Sequence, residues 1–159
     1  MKRIIAAAID RFEAIPTELI ALIARISIGT VFLRSGLLKV EGWSDGTTLA
    51  LFTDEYKLPL LPPDIAAVMA TAAELTLPML LFAGLATRFA ALALLAMTLV
   101  IEIFVYPNAF DTHGVWAVCL LFLMKYGAGR VSLDRLLESR IRMPDRPNAG
   151  MSRALRLGA

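Results

Sequence analysis

The chain has 159 residues, enough for one domain, and 58% of them are hydrophobic, against roughly 45–50% in soluble domains. Its one cysteine, Cys119, excludes an internal disulfide and any multi-cysteine metal or cluster site, while the net charge of +2 singles out no partner. Charged residues are 19% of the chain and gather at its two ends and in one loop, leaving four apolar stretches near the roughly 20 residues that a bilayer core requires.

Residues 2–15 suit a short amphipathic helix. Ile5, Ile9 and Phe12 share a face, and Lys2, Arg3 and Arg11 supply basic charge, a pattern that lies in the membrane interface. Asp10 and Arg11 interrupt the apolar run, so no cleavable signal peptide is expected. Pro16-Thr17-Glu18 opens the first span, about 17–38, with Thr17 as its expected N-cap. Residues 39–63 are polar and acidic, and Leu49, Phe52 and Tyr56 fall at helical spacing, so a short surface helix is expected there. Asp64 is the expected cap of the second span, about 65–84. Gly84 closes it and Thr87 starts the third, about 88–105. The fourth span, about 113–129, begins at His113 and ends in Tyr126-Gly127-Ala128-Gly129-Arg130. Ser132 to Ile141 reads as a cytosolic amphipathic helix and 143–159 as a flexible basic cytoplasmic tail.

Orientation follows from lysine and arginine placement. Lys2, Arg3, Arg11, Arg88, Arg130, Arg135, Arg140 and the arginines of the tail fall on one side of the spans. Only Lys39 and Lys57 fall on the other, among Glu41, Asp45, Asp54, Glu55, Asp64 and Asp111. Both termini are therefore expected in the cytoplasm. Since lipid admits only helices and closed barrels, the expected fold is an all-α, integral-membrane, antiparallel four-helix bundle over residues 1–142, with short interfacial helices.

Arg25, Arg34, Glu74 and Glu102 lie inside these spans, where each charge costs roughly 2.5–3.5 kcal/mol on insertion scales. Comparison of depths pairs Arg25 with Glu74 and Arg34 with Glu102. Arg25, Gly29, Phe32 and Gly36 form one stripe of the first span, and Ala66, Ala70 and Glu74 one stripe of the second, both suited to close helix contact. Pro78 leaves the Glu74 carbonyl without its helical donor. Two readings stay open: the pairs fix helix register, or they line a polar pocket with His113, and with Trp116 and Lys39 as further lining residues. A proton relay, a quinone head-group site and an anion path would each use such groups. Lys125, near the inner end of span four, is expected to snorkel to the interface. Trp43, Trp116, Tyr56 and Tyr106 suit an aromatic belt. No metal site is expected, and beside a membrane the basic tail meets anionic lipid rather than nucleic acid.

Three segments, "LIARISIGTVFLRSGLLKV" (22–40), "ATAAELTLPMLLFAGLATRFAALALLAMTLVI" (70–101) and "HGVWAVCLLFLMKYGAGRVSLDRLL" (113–137), resemble the DoxX family of small bacterial and archaeal four-helix membrane proteins. The resemblance rests on Arg25, Gly29, Phe32, Gly36 and Lys39, on Glu74 and the Gly84–Arg88 hairpin, and on His113, Trp116, Gly127, Gly129 and Ser132-Leu133-Asp134. It implies a membrane subunit. Some family members are described as the small subunit of thiosulfate:quinone oxidoreductase, others are linked to oxidative stress, and some accompany metal-handling systems. No catalytic motif carries over to this chain. The expectation is a cytoplasmic (inner) membrane protein serving as an accessory or quinone-proximal subunit of a redox or stress-response system. It would hold no covalent cofactor, and a bound quinone is its candidate ligand. Its partners would be the lipid bilayer, a redox or periplasmic protein, and a second copy in a homodimer. A small transporter or export helper for a proton-coupled solute or metal species is the alternative, with a docking scaffold third.

Overall fold

The computed structural model describes residues 2–141, so the tail expected at 143–159 lies outside the described residues. Every regular element among the described residues is helical. Helix α1 spans Lys2–Glu13 and leaves Ile4, Ile5, Ile9 and Phe12 exposed, an apolar face with no partner in the described chain. Helix α2, Thr17–Glu41, has 25 residues and is about 37 Å long. Thr17 is its first helical residue rather than its cap. Pro16 takes the N-cap position in an extended conformation, without a side-chain cap bond.

A strap crosses the far end of α2. It is entered at Gly46 (φ 80°), runs through α3 (Thr47–Ala50) into a π-helical turn at Leu51–Tyr56, and is left at Lys57 (φ 43°). At its start the Asp45 carboxylate accepts the Thr47 backbone N–H at 3.0 Å, and bonding to Thr47 holds Asp45 below the usual carboxylate range. Helix α4, Pro63–Ala83, opens with proline at its first position, where a missing N–H costs nothing, and Asp64 sits in the first turn instead of capping. Gly84, at φ 64°, ends it in the left-handed conformation that glycine tolerates. Helix α5, Thr87–Val100, continues into a second π-helical turn at Ile101–Val105. Helix α6 spans Phe110–Tyr126 and α7 spans Leu133–Ile141.

Three stretches are long and apolar enough to cross a membrane: Thr17–Glu41, Pro63–Ala83 and Thr87–Val105. Helix α6 has 17 residues, about 25 Å, less than a hydrocarbon core of roughly 30 Å. It nevertheless closes the packing: α2 lies against α4 and α6, and α5 against the same two helices. Ile28, Phe32, Leu81, Leu94, Leu120 and Leu123 fill the centre. Close approach of α2 to α4 depends on two glycines. A Cβ at Gly36 would lie 3.0 Å from the Glu74 backbone carbon, and Gly29 faces the Phe82 ring. Outside, Ile23, Leu38, Val68, Met79, Leu92, Leu99, Val118 and Leu121 are all exposed, an apolar surface suited to lipid rather than water.

The opposite end, at the starts of α2 and α5, is fastened by polar groups. Asp134 accepts the Ala86 N–H at 2.7 Å and the Thr87 N–H at 3.0 Å, so α5 is capped by a carboxylate from α7, not by Thr87. The Asp134 N–H donates to the Gly84 carbonyl at 2.8 Å. Arg25 reaches the same place, donating from Nη2 to the Val131 carbonyl at 2.9 Å.

Candidate functional site

At the strap end, α2, α4, α5, α6 and the strap enclose a cavity of about 370 Å³. That is at the lower end of the roughly 300–1,000 Å³ typical of small-molecule sites. Its walls are mainly apolar, with Phe32, Met97 and Trp116 among them. The Lys39–Glu74 pair and His113, backed by Glu102, interrupt them.

The first pair comes from α2 and α4. Lys39 Nζ lies 2.8 Å and 3.1 Å from the two Glu74 carboxylate oxygens and donates to Ser35 Oγ at 2.9 Å. Both charges are buried. Lys39 reaches Glu74 because helical side chains lean toward the helix N-terminus, which its bond back to Ser35, one turn earlier, displays. Gly36 lets α4 approach closely enough for the pair to close. The partner expected for Glu74 was Arg25, and the structure corrects this. Arg25 is buried, but it leans the same way along α2, toward its N-terminal end, and meets Val131. Depth measured at Cα atoms misassigned the pair because both long side chains travel in the same direction.

The second pair is His113 and Glu102, with Nδ1 to Oε2 at 2.5 Å. With the carboxylate accepting from Nδ1–H, the neutral ring keeps Nε2 as an acceptor, and the protonated ring would make Nε2 a donor. Trp116, one turn on, packs against His113 with ring centroids 4.9 Å apart, and edge-on to Phe32 at 5.6 Å. The expected Arg34–Glu102 pair does not form. Glu102 sits in the π-helical turn of Ile101–Val105, where a face worked out at 3.6 residues per turn no longer applies. Arg34 lies on the exposed side of α2, between Phe32 and Gly36 of the buried stripe, and does not line the cavity. Of the residues singled out from the sequence, the structure brings Lys39, Glu74, His113 and Trp116 to the cavity, sets Glu102 behind His113, and places Arg25 and Arg34 elsewhere. Lys125 is exposed at the end of α6, its ammonium 5.1 Å from the Tyr126 ring centroid.

Two tyrosines assigned to an aromatic belt close the cavity instead. Tyr56 and Tyr106 both line it, their rings 6.0 Å apart, and the Tyr106 hydroxyl donates to the Glu55 carboxylate. Burial raises the Tyr56 phenol above its usual range, and the bond to Glu55 raises that of Tyr106. The helical spacing of Phe52 and Tyr56 already marked the inner face of the strap, whereas no local pattern marks Tyr106. Among the described residues no cluster of three or more His, Cys, Asp or Glu side chains forms a metal site.

Residues 20–107 match the DoxX family profile. An uncharacterized protein of Haemophilus influenzae is 32% identical over 141 residues, covering 80% of this chain and 89% of its own length. No solved structure matches. With three helices of membrane-spanning length and a family match over more than half its residues, the chain is a multi-pass membrane protein that belongs to the DoxX family.

Proposed function

We propose that the protein is an antiparallel four-helix bundle of the cytoplasmic membrane, termini in the cytoplasm, that binds a quinone-type ligand as the quinone-proximal subunit of a redox or stress-response system. The observation that carries this is the apolar cavity with Lys39–Glu74 and His113 on its walls. A quinone head is flat and apolar with hydrogen-bond-accepting carbonyls, and its quinol form donates hydroxyls. Lys39 is the charged donor on the wall, and a carbonyl would share its ammonium with Ser35 and Glu74. His113 Nε2 suits either state, because an imidazole nitrogen can accept or donate according to where the ring carries its hydrogens. When bound, the quinone would supply the electron-carrying chemistry that the side chains lack. The chain's own residues bind and orient the head, exclude water, and hold a proton at His113.

The test uses intrinsic fluorescence. Trp43 and Trp116 are the two tryptophans, and Trp116 lines the cavity. In a Trp43→Phe background in lipid nanodiscs, ubiquinone analogues should quench Trp116 saturably. The charge-matched double substitution Lys39→Met/Glu74→Leu should weaken binding at least ~10-fold, about 1.4 kcal/mol. Quenching that rises linearly without saturation, identical in both proteins, would rule the ligand out.

A further inference from the structure

We infer that a hollow at the end of the bundle away from the strap holds the phosphate of a glycerophospholipid, from the leaflet that meets the starts of α2 and α5. This site is separate from the strap-end cavity and independent of the ligand proposed there.

The hollow lies where α6 stops. That helix has 17 residues and falls roughly 5 Å short of a hydrocarbon core. Beyond Tyr126 the chain turns at Gly127 (φ 77°) and Gly129 (φ 81°) before α7 begins. A space of about 870 Å³ lies between this turn, α7, the first residues of α2 (Thr17, Glu18) and the first residues of α5 (Thr87, Arg88). Both α2 and α5 begin membrane-spanning stretches at these residues, so the hollow sits at the level of lipid head groups.

Two arginines border the hollow without a counter-ion. Arg88 passes over the Gly127 turn, where a Cβ would stand 3.4 Å from its Nε, and Arg130 belongs to the same turn. Neither forms an ion pair among the described residues. Of the remaining charges, Asp134 accepts the Ala86 and Thr87 N–H groups, and Arg135 offsets Glu138 at 3.7 Å. That leaves Glu18 on the α2 wall beside Gly129. Two cations against one acid suit a singly charged phosphodiester better than a doubly charged phosphomonoester.

A second indication does not depend on these charges. Thr87 lines the hollow and is 0% exposed, yet its Oγ1 has no hydrogen-bond partner among the described residues. A buried hydroxyl without a partner is costly. Arg25 Nε and Nη1 are likewise buried and unpartnered, with Nη1 against the Gly84 turn beside Ser132, another lining residue. A phosphate oxygen would give the Thr87 hydroxyl its acceptor and take charge-assisted bonds from Arg88 and Arg130. Arg25 would add positive potential from behind the wall. The lipid source follows from α5: Phe89, which lines the hollow, is 65% exposed, and Leu92, one turn further into the membrane, is 51% exposed. They offer an acyl chain an apolar track that a soluble phosphate would not use.

The experiment titrates the full chain in one mild detergent with long-chain phosphatidylglycerol, with diacylglycerol, and with the deacylated head group glycerophosphoglycerol. Thermal unfolding and native mass spectrometry are the readouts. Phosphatidylglycerol should bind saturably and raise the unfolding midpoint, and the other two should not. Arg88→Gln/Arg130→Gln should weaken lipid binding at least ~10-fold. Thr87→Val separates binding from folding. Without lipid its midpoint should equal or exceed that of wild type, because no internal hydrogen bond is lost, while its affinity for phosphatidylglycerol should fall at least ~3-fold. Equal effects of diacylglycerol would leave apolar contact alone, and equal effects of glycerophosphoglycerol would make the ligand a soluble phosphate; either overturns the proposal. So does lipid affinity unchanged in the arginine variant or in Thr87→Val, or a Thr87→Val protein less stable than wild type without lipid.

Discussion

Removing one charge of the Lys39–Glu74 pair should be among the most damaging single changes available to this chain. The two side chains are 7% and 4% exposed and 2.8 Å apart. Glu74→Ala leaves the ammonium in an apolar cavity with Ser35 as its remaining partner. Breaking a buried pair in this way costs about 3–5 kcal/mol, because the surviving charge has lost both water and counter-charge. At about 2–4 °C per kcal/mol for a chain of this size, the midpoint of thermal unfolding should fall by about 6–20 °C. The double substitution Lys39→Met/Glu74→Leu removes charge and counter-charge together and fills similar volume, and should unfold within about 5 °C of wild type. The assay is loss of helical circular dichroism on heating in a single detergent, with all proteins compared at one scan rate. A Glu74→Ala protein within about 2 °C of wild type, or a double variant no more stable than the single, would refute the pair as a buried, mutually dependent unit.

Asp134→Ala should cost about 1–2 kcal/mol by uncapping α5. It should also raise hydrogen exchange at both residues 86–88 and α7, whereas a purely local effect would move only α7. Gly36→Ala should destabilise by about 1–3 kcal/mol despite the better helix propensity of alanine, because the added carbon meets the Glu74 backbone rather than a mobile side chain. An unfolding midpoint at or above that of wild type would show that α4 gives way. The strap should loosen in alkali. Folding raises the phenol values of Tyr56 and Tyr106, so their contribution is complete below the unfolded value of about 10 and lost as pH rises through the folded values. A single tyrosinate absorbance transition centred near pH ~10 would refute this.

The helices were legible because a bilayer imposes length and composition on them, and Gly84 and Pro63 then punctuate the chain locally. The stripe of Arg25, Gly29, Phe32 and Gly36 could also be read in advance, since 3.6-residue periodicity holds along α2, and all four residues are buried. What could not be read was which charges meet. Arg25 and Lys39 both depart from their Cα depth by leaning along α2. Glu102 lies where the helical period itself changes. Asp134 caps a helix 47 residues earlier in the chain, a relation that no local pattern encodes. The strap was visible as an amphipathic segment, but its role in closing a cavity depends on Tyr106, which arrives from the far end of α5.

The placement of the charges suggests why so apolar a chain keeps them. Arg25, Val131 and Asp134 fasten one end of the helices, and Lys39, Glu74, Glu102 and His113 occupy the other, with Leu81, Leu94, Leu120 and Leu123 between. The two ends are not equivalent. At the first, Gly84 brings its turn so close to Arg25 and Ser132 that a Cβ there would displace both, which suits a fixed joint. At the second, the charged groups border a mainly apolar cavity of about 370 Å³, whereas the hollow of about 870 Å³ at the first end is lined by polar groups such as Thr87, Arg88 and Asp134. If the strap-end charges served only register, then Lys39→Met/Glu74→Leu and His113→Gln/Glu102→Gln should lose stability in step with any loss of ligand binding. If they serve a ligand, binding should fall while unfolding stays near wild type. Measuring both quantities on the same two proteins separates the alternatives, and stability falling in step with binding would leave the strap-end charges as a second joint.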